Sequence, residues 1–137
     1  MSEFKLKNKK AKSDILNIIV KYLPCLVKGG VITAIGILVL SFAYYKMSSH
    51  SIILYYLNYL FIALGAFITG NSTYYKFGGR GIVAGGLGVI PLIFFELISI
   101  FAFSYTKISI FIIIILLICF SFGAIGGIIA SNTKKRY

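Results

Sequence analysis

Residues Arg80–Phe103, RGIVAGGLGVIPLIFFELISIFAF, decide how this chain is read. After Arg80 the run stays apolar for more than the ~18 residues a helix needs to cross a bilayer core. Within it stand a dense set of glycines, one proline (Pro91) and one acid (Glu96). Comparable runs lie at Leu26–Tyr45, Ser51–Thr69 and Ile108–Ala130, with Gly81–Phe103 as the third of four. The expectation is an all-α, polytopic membrane protein: four transmembrane helices arranged as two tandem hairpins.

Composition points the same way. The 137 residues are 59% hydrophobic and 12% charged, whereas soluble domains are about half apolar and about a quarter charged. Mean hydropathy is +0.96. The net charge of +11 does not imply nucleic-acid binding, because of where it sits. Of the 14 basic residues, all but Lys46 and Lys107 precede or begin the first run, lie between the second and third, or follow the fourth. That is the positive-inside pattern, so both termini are expected in the cytoplasm and the protein in the plasma membrane. The basic flanks should attract anionic lipid headgroups, at about 1 kcal/mol per residue.

Ahead of the first run, residues 1–12 are lysine-rich and expected to lack fixed structure. Ser13 can cap a short interfacial helix over residues 13–24, with Asp14, Asn17 and Lys21 on one stripe. Such a helix would lie on the inner leaflet until Pro24 breaks it. The alternative is that it forms the first turns of a long, bent first span. Residues 25–137 make up the four-helix domain. Met47–His50 and Ser104–Lys107 are expected as short outer turns, and Gly70–Gly79 as the cytoplasmic loop. None of these connections can hold a folded soluble domain.

The two halves look alike. Setting Lys28-Gly29 over Arg80-Gly81 matches Gly29 with Gly81, Val31 with Val83 and Gly36 with Gly88. Gly65-Ala66 near the end of the second run resembles Gly123-Ala124 in the fourth. A duplicated hairpin that starts inside both times implies a symmetry axis along the membrane normal. Helical spacing places small residues on shared faces: Gly29, Thr33 and Gly36; Gly65 and Thr69; Gly81, Gly85 and Gly88; Gly123 and Gly127. In lipid, helices associate through close packing, so these faces are the expected contact seams, confined to the cytoplasmic half.

Few residues suggest chemistry. Glu96, eleven residues beyond Gly85, returns to within about 20° of that seam. A carboxylate inside a span costs a few kcal/mol, which makes it a candidate proton or cation site. A surface-reaching carboxylate paired with Lys46 or Lys107 fits the sequence equally well. Asn58 lies mid-span on nearly the same face as Gly65 and suits an interhelical hydrogen bond or a second contact for an ion. Cys25 and Cys119 read as buried thiols, and His50 stands without a second metal ligand. Nucleophile–base pairs, phosphate-cradling loops and paired carboxylates are absent, so neither enzyme activity, cofactor nor metal site is expected.

The basic-Gly start of the first run, the Gly-Ala of the second, the glycine-rich opening Arg80–Gly88 and the Gly-Ala-x-Gly-Gly of Gly123–Gly127 together resemble the YrzE-like membrane proteins of Gram-positive bacteria. The resemblance runs from about Cys25 to the C-terminus. It implies a four-span cell-membrane protein of about this length, and it brings no activity, substrate or catalytic residue to carry over. The sequence points first to a non-enzymatic accessory or structural subunit packing through its glycine faces with itself or another membrane protein. The rival class is a small channel or transporter in which Glu96, with Asn58, contacts a proton or cation.

Overall fold

The computed structural model describes residues 2–46, 52–103 and 109–134. Five α-helices follow one another: α1 Ser2–Lys46, α2 Ile52–Phe77, α3 Gly81–Gly88, α4 Ile90–Phe103 and α5 Ser109–Lys134. α3 and α4 are the two halves of one rod interrupted at Val89, so the chain forms four rods. No strand occurs among the described residues. Three segments are long and apolar enough to cross a membrane: Leu6–Lys46, Gly81–Ile98 and Ile112–Lys134. Large apolar side chains such as Leu38, Phe42, Phe94, Ile98, Ile110 and Leu117 cover the outside of the rods. A soluble monomer rarely exposes apolar surface on that scale, so this is the exterior of a multi-pass membrane protein. The expected turns at Met47–His50 and Ser104–Lys107 lie outside the described residues.

The N-terminal part departs from expectation. Residues 13–24 are helical but do not form a separate element, because α1 runs unbroken through Pro24. Proline removes one backbone bond, and lipid-embedded helices tolerate it where nearby groups re-satisfy the freed carbonyls. Pro24 frees the Val20 carbonyl, while beside it the Cys25 thiol donates to the Lys21 carbonyl at 3.9 Å. Residues 2–12 continue the helix outward, consistent with lysine, alanine and glutamate being good helix formers and with the lack of glycine there. Ser13 therefore caps nothing; its hydroxyl donates to the Lys10 carbonyl at 2.8 Å.

The loop expected over Gly70–Gly79 is also shorter than the polar run Asn71-Ser72-Thr73 suggests. α2 continues to Phe77, leaving Gly78, Gly79 and Arg80 to make the turn. Tertiary packing overrides weak propensity here. The Thr73 hydroxyl donates to the Thr69 carbonyl at 2.8 Å, and Gly70 lies against the backbone of Gly123. The helix then ends where Gly78 (φ 67°) and Gly79 (φ 89°) take left-handed conformations. The Gly78 amide caps the Tyr74 carbonyl at 2.8 Å.

α2 is the central rod. It packs most closely on α5, then on α1 and α3, while α3 also packs on α5. Every residue of the expected seams is buried: Gly29, Thr33, Gly36, Gly65, Thr69, Gly81, Gly85, Gly88, Gly123 and Gly127. Gly29 faces Thr69 and the Gly65 carbonyl, and Gly65 in turn faces Thr33. Gly85 faces Gly123 and Gly127, and Gly123 faces Val89. The contacts therefore match when Gly29 is set against Gly85 and Thr33 against Val89, one helical turn away from the sequence alignment on Gly81. Two further glycines, Gly70 and Gly126, join α2 to α5, with Gly126 against the Phe67 carbonyl. Beyond Val89 the packing loosens. α4, built from Phe, Ile and Leu, approaches its neighbours far less closely than α3 does.

A methyl group added at Gly85 would meet the Gly123 carbonyl and the Gly127 Cα, whereas one added at Gly30 meets nothing within 4 Å. Gly85→Ala should therefore destabilise the detergent-solubilised protein by about 1–3 kcal/mol. Gly30→Ala should be neutral or stabilising by up to about 1 kcal/mol. Unfolding both variants in a denaturing-detergent titration checks this, and equal midpoints would contradict the α3–α5 seam.

Candidate functional site

The third rod starts after the turn at Gly78–Arg80, and its glycine half, α3, packs on α5. Val89 then closes a tighter turn, its amide reaching the Gly86 carbonyl at 3.4 Å, and the ladder resumes with Ile93 donating to Val89 at 3.0 Å. Pro91, which has no amide to donate, explains the interruption. The irregular turn does not carry Glu96 away from the bundle. Leu92 (1% exposed) and Ile93 (7%), one turn before it on the same face, belong to a buried cluster with Ile62, Ala66, Val89, Ile115 and Cys119.

Glu96 is 4% exposed. Its Oε1 atom is buried without a hydrogen-bond partner. The Cys119 thiol of α5, itself fully buried, lies within electrostatic reach of the carboxyl group. Counted from Gly81 at 1.5 Å per residue, Glu96 stands about 22 Å along the rod. Cys119 stands at a similar height above Lys134.

The burial of Glu96 points its carboxyl group into the bundle. Lys46 is exposed at the end of α1, Lys107 lies outside the described residues, and among the described residues no ion pair forms. Asn58 is half-buried in α2. Among the described residues no three His, Cys, Asp or Glu side chains gather as a metal site. His50 lies outside the described residues.

The first hairpin illuminates the second. In the register set by the glycine contacts, Leu40 stands eleven residues beyond Gly29 as Glu96 stands beyond Gly85. Leu40 is also 4% exposed. The same inward-facing position is thus filled by leucine in one half and by glutamate in the other.

A second polar locus, which sequence reasoning missed, lies at the inner end. The Tyr22 ring packs against Phe77, with centroids 6.1 Å apart at 42°. Its hydroxyl is buried beside Thr73 without a well-formed hydrogen bond. Asn71 Oδ1 is likewise buried and unpaired. The Thr69/Thr73 spacing was the available signal, obscured because Thr73 reads as part of a loop.

Comparison with protein-family models, with curated proteins and with solved structures yields no match to this chain.

An unsatisfied buried polar atom costs about 1–3 kcal/mol. Glu96→Leu, which installs the side chain found at Leu40, should therefore leave the thermal midpoint of the purified protein unchanged or raise it. A clear loss of stability would mean that Glu96 makes a stabilising bond and is not an unpaired group.

Proposed function

We propose that this chain is a four-span protein of the cell membrane, with both termini in the cytoplasm, in which Glu96 is the proton- or cation-binding group of a small channel or transporter. The observation that carries the reading is the Glu96 carboxyl, 4% exposed and with one oxygen unpaired. An isolated carboxylate at such a depth is expensive, so it needs a proton or a cation. Evolution has an obvious cheaper residue for the position, the leucine of the other half. α2, with 26 residues, is long enough to serve as the fourth span.

The placement of the glycines argues against the rival reading in its simplest form. Every seam residue is buried against another helix of the same chain, so those faces are not free to pack with a partner. A non-enzymatic accessory or structural subunit remains the second reading. In its favour are the apolar neighbours of Glu96, which form no polar path among the described residues. A YrzE-like membership and a tandem duplication are further parts of the proposal. The matched contacts Gly29–Gly65–Thr69 and Gly85–Gly123–Gly127 support the duplication.

Proton and cation flux into liposomes holding the purified protein tests the proposal. Wild-type vesicles should conduct above protein-free ones, and Glu96→Gln, which keeps the shape and removes the charge, should cut that flux at least tenfold. Wild-type vesicles no leakier than empty ones across protons, sodium and potassium would favour the accessory subunit. The topology has its own check: a fluorescent protein fused after Tyr137 should glow, whereas alkaline phosphatase fused there should stay inactive.

A further inference from the structure

At the inner end of the bundle, a cleft of about 240 Å³ opens between α1 and α2, lined by Pro24, Cys25, Lys28, Ser72, Tyr75 and Lys76. Its chemistry differs from that of the other large grooves. Those between α2 and α5 and between α1 and the α3–α4 junction are lined almost wholly by apolar side chains. Here two lysines from different helices share one recess with two hydroxyl side chains, over a floor formed by Pro24 and the buried Cys25.

We propose that this cleft is a binding site for a phosphate-bearing anion, the phosphate standing between Lys28 and Lys76. Three features fit that ligand. Two lysines and no acidic residue line the recess, so its charge favours an anion. Ser72 and Tyr75 add hydroxyl donors, which supplement lysine's point charges at a phosphate. The size fits as well: the recess is smaller than the ~300–1,000 Å³ of sites for whole drug-sized molecules, so it accommodates a headgroup and leaves acyl chains outside.

The local structure holds the two lysines in place. Lys28 precedes Gly29, which is locked against Thr69 and the Gly65 carbonyl of α2. Lys76 sits one residue before Phe77, which is pinned by the Tyr22 ring. Both lysines therefore project from packed helices and not from a loose tail. Lys28 and Lys76 are exposed, as Lys7, Lys9, Lys10 and Lys12 are, but they line one recess between two packed helices, whereas the others stand on the outer turns of α1. The phosphate can come from the headgroup of an anionic membrane lipid or from a soluble phosphate compound.

The test uses the full-length protein in nanodiscs of phosphatidylcholine, with two arms. In the first, phosphatidylglycerol is titrated into the lipid and bound lipid is counted by native mass spectrometry. In the second, inorganic phosphate is added to the purely zwitterionic nanodiscs and the thermal midpoint is read. Lys28→Ala/Lys76→Ala is compared with Lys9→Ala/Lys10→Ala, which removes the same charge from the free part of α1. The expected result is a loss of affinity of about thirtyfold for the cleft pair, from about fivefold per lysine, and less than threefold for the control pair. Selective loss in the first arm identifies the lipid headgroup as the source, and selective loss in the second identifies soluble phosphate. Equal losses for the two pairs, or no response of the wild type in either arm, would overturn the site.

Discussion

Backbone contact between glycine faces is the interaction on which this molecule depends. Within a bilayer the hydrophobic effect does not drive helices together, since lipid is as apolar as leucine; van der Waals contact and weak Cα–H···O bonds must do it. Both require the main chains to approach closely, which only small residues permit. Gly85 on Gly123 and Gly127, Gly29 on Gly65 and Thr69, and Gly126 on Phe67 supply that approach at three separate interfaces. α2 is central because it carries two such faces at once, Gly65/Thr69 toward α1 and Ala66/Gly70 toward the rest of the bundle.

The same constraint places the polar groups. The buried hydroxyls of Thr33, Thr69 and Thr73 each donate to a carbonyl of their own helix, so they fit a tight seam without needing partners across it. Glu96 has no such option. It lies just beyond the point where the glycines stop and the bulky residues of α4 begin, and there the packing is looser.

Charge follows a different rule from packing. Most of the described basic side chains are solvated, as Lys134 and Arg80 are. Where packed helices bring two lysines together, as at Lys28 and Lys76, the same charges define a recess with a shape. α1 projects beyond this level as a bare helix, its lysines exposed toward the inner surface.

Much was legible from local pattern. The apolar runs and the membership of every glycine seam follow from spacing along single helices, which is a property of the chain. Glu96 was visible as the acid out of place, and its heading toward the glycine face followed from helical periodicity. Partners and register were not legible. Small residues recur about every four positions, so an alignment of the two halves scores nearly as well when slipped by one turn; only the contacts set Gly29 against Gly85. Likewise the helical state of Asn71–Thr73, the unbroken path through Pro24 and the burial of Glu96 depend on what stands opposite. A sequence states which face of a helix is narrow or wide, but which helix meets that face is a non-local choice made by packing.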